Sequence, residues 1–189
     1  MKLLSLFLVF GAASFGADVA LTFGLRNNFT SKIQSGGQTV EASSSTSVLL
    51  TPSINFVNLG VAAIGWETPI AFGGPARALI SNGRIATEKL DFMIVPGARV
   101  KILPLGRFSP WASVGFGAGR FSRATVASAS NLLKAATNTT FAVAVGVGLD
   151  VKVAGPLFLR AEGRNFNYKG VEDLRRNSFQ FFGGVGLRF

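Results

Sequence analysis

This sequence predicts an all-β protein, an eight-stranded antiparallel up-and-down transmembrane β-barrel. Three observations carry that reading. The segment 179–189 alternates strictly, with Phe179, Phe181, Gly183, Val185, Leu187 and Phe189 on one face and Gln180, Phe182, Gly184, Gly186 and Arg188 on the other. A Phe-rich strand left as an edge in water invites aggregation, whereas one that closes a barrel and turns its apolar face to lipid has no free edge. The same alternation recurs in segments of about ten residues, the length a tilted barrel strand needs to cross a bilayer. The connections between them alternate long and short, as in membrane barrels with short turns at one rim and long loops at the other.

The chain begins with Lys2 followed by an apolar run, Leu3 to Phe10, broken only by Ser5, and then by Gly11, Ala12, Ala13 and Ser14. This reads as a secretory signal peptide over residues 1–17, too short to span a bilayer as a helix. Cleavage after Ser14, Gly16 or Ala17 fits the small residues there. Residues 18–189 then form one barrel domain.

The first strand is expected at 18–27, with Val19, Leu21, Phe23 and Leu25 outward and Ala20, Thr22, Gly24 and Arg26 inward. A Ser/Gly/Thr-rich loop leads to the second at 48–56, where Leu50, Pro52, Ile54 and Phe56 oppose Thr51, Ser53 and Asn55. Pro52 argues against a central strand, because it removes a ladder donor. The third, 60–72, sets Ala62, Ile64, Trp66, Thr68, Ile70 and Phe72 against Val61, Ala63, Gly65 and Glu67. After a loop at 73–87, the fourth, 88–103, points Leu90, Phe92, Ile94, Pro96, Ala98, Val100 and Ile102 outward. Asp91, Met93, Val95, Gly97, Arg99 and Lys101 then face inward.

The fifth strand, 110–121, sets Ala112, Val114, Phe116 and Ala118 against Ser113, Gly115, Gly117 and Gly119. A loop at 122–138 follows, with a brief helical turn expected at Leu132 and Leu133. The sixth strand alternates most cleanly: Phe141, Val143, Val145, Val147, Leu149 and Val151 oppose Ala142, Ala144, Gly146, Gly148, Asp150 and Lys152. A tight turn at 154–156 leads to the seventh, 157–166, with Arg160, Glu162 and Arg164 on its polar face. A last loop at 167–177 precedes the closing strand. With four long loops on one side, both termini return to the other. Trp66, Phe72 and Trp111 are then expected in aromatic girdles, Trp111 at the turn side and the other two in the outer half.

Composition agrees. The chain is 48% hydrophobic, with 23 glycines and 18 phenylalanines. Phenylalanine suits a lipid-facing wall, and Gly and Ala suit a narrow interior filled by side chains. A soluble lipocalin-like barrel would reverse the faces. Its surface would be rows of Gly and Ala, and its small bore would have to hold the whole ring of Phe, Val, Ile and Leu. The net charge of +10 raises nucleic acid as a partner. One tyrosine, no dense basic run and an export signal speak against it, and an anionic membrane surface is the expected counterpart. With no Cys there is no disulfide scaffold and no thiolate metal site. With no His, Ser-His hydrolysis, His proton shuttles and His metal sites fall away. No acidic pair lies one strand-step apart on a face. The expectation is therefore a non-enzymatic protein without cofactor or metal.

The pattern resembles the small eight-stranded outer-membrane barrels of the OmpA, OmpX and OmpW type. Three places carry the resemblance: Gly65-Trp66-Glu67 in the third strand, Phe158 to Arg164 in the penultimate strand, and the closing Gly184-Val185-Gly186-Leu187-Arg188-Phe189. The last is similar to the C-terminal signal read by the barrel-assembly machinery, with Gly184, Leu187 and Phe189 as its key positions. It departs at Phe182, where that signal carries a polar residue. The resemblance implies residence in the cell outer membrane and assembly by that machinery, with a monomer expected. No peptidoglycan-binding domain is expected after Phe189. The enzymes of this family use histidine, which this chain lacks.

One constellation remains to be explained. The inward faces bring together Glu67, Asp91, Asp150 and Glu162 with Arg26, Arg99, Lys101, Lys152, Arg160, Arg164 and Arg188. Glu67 on the third strand lies across the bore from Arg160 and Arg164 on the seventh. A network of Glu67, Arg99, Asp150, Arg160, Glu162 and Arg164 that fills and closes the lumen is the expectation, and an anion-preferring pore is its alternative. Lys32, Arg77, Arg84, Arg120, Arg123, Lys134, Lys169, Arg175 and Arg176 fall in the loops. They are candidates to contact lipopolysaccharide phosphates.

Overall fold

Alternation of apolar residues with small or polar ones builds strands that have no use for water on their outer face. The structure, a computed structural model, describes residues 16–28, 41–42, 45–80, 84–102, 107–126, 133–169 and 175–189. The expected signal segment lies outside the described residues up to position 15. The described strands are β1 (Ala17–Asn28), β2 (Glu41–Ala42), β3 (Ser45–Asn58), β4 (Ala62–Glu67), β5 (Ile70–Gly73), β6 (Pro75–Ile80), β7 (Arg84–Ile94), β8 (Gly97–Ile102), β9 (Phe108–Val126), β10 (Leu133–Ala154), β11 (Leu157–Lys169) and β12 (Arg175–Arg188).

All pair antiparallel, and β1 pairs with β12 on one side and β3 on the other, so the sheet closes on itself. Breaks at Thr68 and Pro69, at Gly74, and at Val95 and Pro96 divide two of the staves. Pieces β4, β5 and β6 make the third stave, and β7 and β8 the fourth. The ring therefore has eight staves, while β2 extends one hairpin beside β6. Pro52 fits because it faces a break. β3 pairs with β5 up to Leu50 and with β4 from Ser53. Between them the Thr68 amide donates to the Pro52 carbonyl at 2.9 Å. No regular ladder donor is needed from position 52.

At one rim the connections are short: residues 59–61, 103–107 and 155–156. Gly60 and Gly155 take φ of +83° and +51° there, left-handed values that favour glycine. At the other rim the strands run further than expected. β6 and β7 pair up to Ile80 and Arg84, β9 and β10 up to Val126 and Leu133, and β11 and β12 up to Lys169 and Arg175. These hairpins have no sustained apolar face, so apolar alternation does not reveal them, but backbone pairing continues past the lipid without one. Leu133 accordingly belongs to β10, not to a helical turn; Leu132 lies outside the described residues.

The outward face is an apolar belt. Phe23, Leu25, Ile64, Phe116, Phe141, Val145, Val147, Phe181 and Leu187 are all exposed. No aqueous fold leaves so much large apolar surface bare, and a lipid environment removes the cost. The lumen has two layers. Toward the loops it is mainly apolar: Leu49, Ala71, Leu90, Met93, Val95, Phe121, Ala142, Ala144, Phe166, Tyr168 and Phe182 form one buried cluster. Phe121 and Tyr168 stack there with centroids 4.6 Å apart. Toward the turns it is charged.

Between Leu90 and Phe92, β7 bulges against β9. Alternation through 88–103 predicts Leu90 outward and Asp91 inward, and the structure reverses both. Asp91 is the extra residue, so Leu90 turns into the apolar cluster and Lys89 turns out.

Candidate functional site

The charged layer is built from six staves. β1 contributes Asp18 and Thr22, β4 Glu67, β8 Arg99 and Lys101, and β10 Asp150. β11 contributes Arg160, Glu162 and Arg164, and β12 Arg188. Period-two alternation puts each on the inner face, and the ring brings together what lies far apart in sequence. Apart from Arg188, which is half-buried near the turn-side mouth, every charged side chain here is almost wholly buried.

Two clusters share the layer. In the first, Asp150 receives Arg160 in a two-pronged contact, Nε to Oδ1 at 2.7 Å and Nη2 to Oδ2 at 3.0 Å. Lys101 Nζ lies 2.9 Å from the same carboxylate and donates to Asp18 Oδ2 at 2.8 Å. Arg99 Nη2 donates to Asp150 Oδ2 at 3.2 Å and its Nη1 to Ser53 Oγ at 2.6 Å. Arg188 Nε donates to Asp18 Oδ1 at 2.8 Å, which ties the last strand to the first. In the second cluster, Arg164 Nη1 donates to Glu67 Oε1 at 2.7 Å and Nε to Glu162 Oε2 at 2.9 Å. Thr22 Oγ1 donates to the other oxygen of Glu162 at 2.9 Å. Arg99 Nε stands 3.9 Å from Glu67 Oε2 and links the clusters.

An indole sits between them. Trp111 is 4% exposed, and the guanidinium carbons of Arg99, Arg160 and Arg164 each lie 5.0–5.1 Å from its ring centroid. Its Nε1 donates to Asp150 Oδ1 at 3.2 Å. Three cations thus surround one ring, Arg160 held by Asp150, Arg164 by Glu67 and Glu162, and Arg99 between the two sets. Below, the buried Phe158 ring lies under Lys101, Arg160 and Arg188. Inward glycines make the room. A Cβ at Gly148 would strike the Trp111 ring, and one at Gly186 the Phe158 ring. Each glycine is the direct cross-strand partner of the aromatic it accommodates.

No protein-family profile matches the chain, and no characterised protein matches it by sequence. Solved structures do. The chain is similar to OprG of Pseudomonas aeruginosa, with a TM-score of 0.58 at 10% identity over 93% of this chain and 96% of that one. It is similar to neisserial surface protein A, with a TM-score of 0.54 at 10% identity over 93% and 97%. It is also similar to Ail, the attachment invasion locus protein of Yersinia pestis, with a TM-score of 0.52 at 12% identity over 92% and 97%. Ail has also been solved with the heparin analogue sucrose octasulfate. This chain has the fold of the small outer-membrane β-barrels. Its exposed apolar belt is the wall that such a barrel turns to lipid, and the charged layer lies in the lumen of the barrel.

Of the lumen residues expected from the sequence, the barrel brings Glu67, Arg99, Asp150, Arg160, Glu162 and Arg164 together, with Lys101 and Arg188. Glu67 meets Arg164, whereas Arg160 is taken up by Asp150. Lys152 is not in the lumen. β10 shifts register between Lys152 and Ala154 at the turn, and the side chain is exposed. Asp91 is not there either, because of the bulge. The Arg26 side chain lies outside the described residues. Trp66 and Phe72 face outward within the belt, but Trp111 is no girdle residue. Its parity is that of Ser113 and Gly115, an inward one, and the pull of a tryptophan toward an interface misleads here. Asp18 is a lumen residue that the list of inward charges lacks, although it shares the inward parity of Ala20 and Thr22 and is buried. Of the assembly positions, Leu187 and Phe189 are exposed and Gly184 lies where β1 comes close. A Cβ at Gly184 would collide with the Leu21 carbonyl. Phe182, the departure from the terminal signal, is buried in the apolar layer, with Gly24 opposite it leaving space for the ring. Of the nine loop cations named above, Arg120 alone has a described side chain.

Proposed function

We propose that this barrel is a non-enzymatic outer-membrane protein with a closed lumen, acting as a structural element or through its outer loops. The observation that supports this best is the continuity of the two layers. Four carboxylates and five cations fill the bore toward the turns, with Trp111 and Phe158 between them, and Phe121, Tyr168, Phe166 and Phe182 fill it toward the loops. Buried ion pairs of this kind hold a bore shut because breaking one leaves a charge without a partner, at a cost of about 3–5 kcal/mol. The expected partners are outer-membrane lipid, the barrel-assembly machinery through the C-terminal strand, and anionic groups at the basic loops. Ail's structure with a sulfated sugar makes sulfated and phosphorylated glycans the first chemistry to try against those loops. A monomer is expected, without cofactor.

Planar-bilayer recording tests the closed lumen. The parent protein should be near silent, and Glu67→Ala should open a small anion-preferring conductance by leaving an excess of basic groups inside. A parent that conducts steadily would put the anion-preferring pore ahead of the closed barrel.

A further inference from the structure

Three neighbouring staves end their lipid-facing runs in the same way. On β9 the outward residues Phe108, Pro110, Ala112, Val114, Phe116 and Ala118 are followed by Arg120. On β10 they run from Val151 up to Phe141 and are followed by Thr139. On β8 and β7 they run from Ile102 up to Phe92 and are followed by Lys89. Each apolar run covers ten residue steps. At about 3.3 Å per residue and a tilt of about 40°, it spans roughly 25 Å, the height of the apolar band in such barrels. The cations therefore stand at the edge of the hydrocarbon on the loop side, facing out.

The bulge at Asp91 is what puts Lys89 there. Without it, the alternation that holds Phe92 and Ile94 outward would carry Leu90 outward and Lys89 into the bore. With it, Lys89 faces outward directly opposite Ser122, two residues from Arg120 on the same face. Cross-strand diagonals of this kind bring long side chains within reach of one another. Arg120 opposes Phe92 on one side and Thr139 on the other. Its side chain is 52% exposed, and its Nε stands 3.9 Å from Asp91 Oδ2. Ser122 Oγ donates to that same carboxylate oxygen. Asp91 thus lies on the Nε edge of Arg120. Below are the exposed rings of Phe92, Phe116 and Phe141.

We propose that Lys89 and Arg120 form a binding site on the barrel wall for the phosphate of an outer-leaflet lipid, with the Thr139 hydroxyl beside it and the acyl chains on Phe92, Phe116 and Phe141. Two outward cations at the band edge supply charge-assisted bonds, and their stems lie along apolar surface as long basic side chains prefer. A zwitterionic or sugar headgroup lacks the net charge that two cations and one carboxylate would neutralise. The inference rests on the outward orientation of the loops but not on a closed lumen.

The test uses the full-length barrel folded in phosphatidylcholine vesicles, titrated with dodecyl phosphate or with dodecyl maltoside and read by phosphorus NMR and by competition with a fluorescent alkyl phosphate. The parent should bind dodecyl phosphate and not the maltoside. Lys89→Gln with Arg120→Gln should weaken binding by about tenfold or more, the loss expected for a charge-assisted bond. Lys152→Gln, on the turn side, should leave it unchanged. Asp91→Asn removes the competing carboxylate and should tighten binding, an outcome that does not depend on the double variant folding. Equal binding by the parent and the double variant, weaker binding by Asp91→Asn, or equal displacement by inorganic phosphate at the same concentration would each overturn the site. Orientation is read separately, by labelling Thr137→Cys on intact cells with an impermeant maleimide. Failure to label there would overturn the outer-leaflet assignment and the outward loops, while the vesicle titration reports on the site itself.

Discussion

Trp111 shows how much one side chain decides in this barrel. Its ring takes up space between two ion-pair clusters, and three guanidinium groups stand within about 5 Å of it. Trp111→Ala should destabilise the barrel by about 3–5 kcal/mol, as for other buried aromatics, measured by urea unfolding in micelles. The protein has two tryptophans, so location can be read directly. With Trp66→Phe in place, the remaining fluorescence should be quenched little by brominated lipid. In a Trp111→Phe variant, Trp66 should be quenched strongly. Strong quenching of Trp111 would return it to the girdle. The ion pairs can be separated as well. Glu67→Ala and Arg164→Ala should be strongly non-additive, by at least about 1 kcal/mol, and Glu67→Ala with Arg160→Ala less so. The 2.7 Å contact of Glu67 is with Arg164, while Arg160 grips Asp150. Equal coupling in the two cycles would mean that the network does not divide in this way.

Strands set which residues meet lipid, and a single residue can reverse the assignment. On β10 the alternation runs without a break through the membrane, and Val145 faces out at 53% exposure. Val145→Arg should destabilise by about 2–4 kcal/mol if it lies near mid-bilayer, with spin labels at 143, 145 and 147 quenched by lipid-soluble oxygen and labels at 144 and 146 protected. On β7 the bulge divides the strand into two registers. Deleting Asp91 restores plain alternation. It leaves Leu90 directly before Phe92, so Lys89 stays outward opposite Ser122 and Leu90 inward opposite Phe121. The folded fraction, read as the unboiled mobility shift on a gel, should therefore stay close to that of Asp91→Asn. A folded fraction well below that of Asp91→Asn would show that the extra residue itself, and not only the facing it sets, holds β7 in the ring.

Closure joins the first described strand to the last. β1 and β12 pair along their length, the Phe189 amide donates to the Ala17 carbonyl at 2.8 Å, and Arg188 reaches Asp18 inside. Closure removes both edges at once, which is why the last strand matters to the entire molecule. Deleting Phe189, or replacing it with Asp, should lower the amount of folded protein in the outer membrane while leaving export intact, as measured by heat modifiability of membrane fractions. Wild-type amounts from the deletion would remove Phe189 from the assembly signal.

The sequence by itself determined the class of fold, the eight staves and the facing of most residues on them. Period-two alternation is a local property, and each ten-residue segment states its own inner and outer side. It also placed the six lumen charges on inner faces. What only the tertiary structure decided is where alternation is silent or broken. The partner of Glu67 depends on the stagger of staves around the ring, which no single strand encodes. The Asp91 bulge depends on how β7 meets β9, and an added residue in one strand looks like any other in sequence. The lumen place of Trp111 depends on a glycine on the next stave, Gly148, whose missing side chain leaves the space for it. The long hairpins beyond the lipid follow from backbone pairing, which is indifferent to hydrophobicity once an apolar face is no longer required.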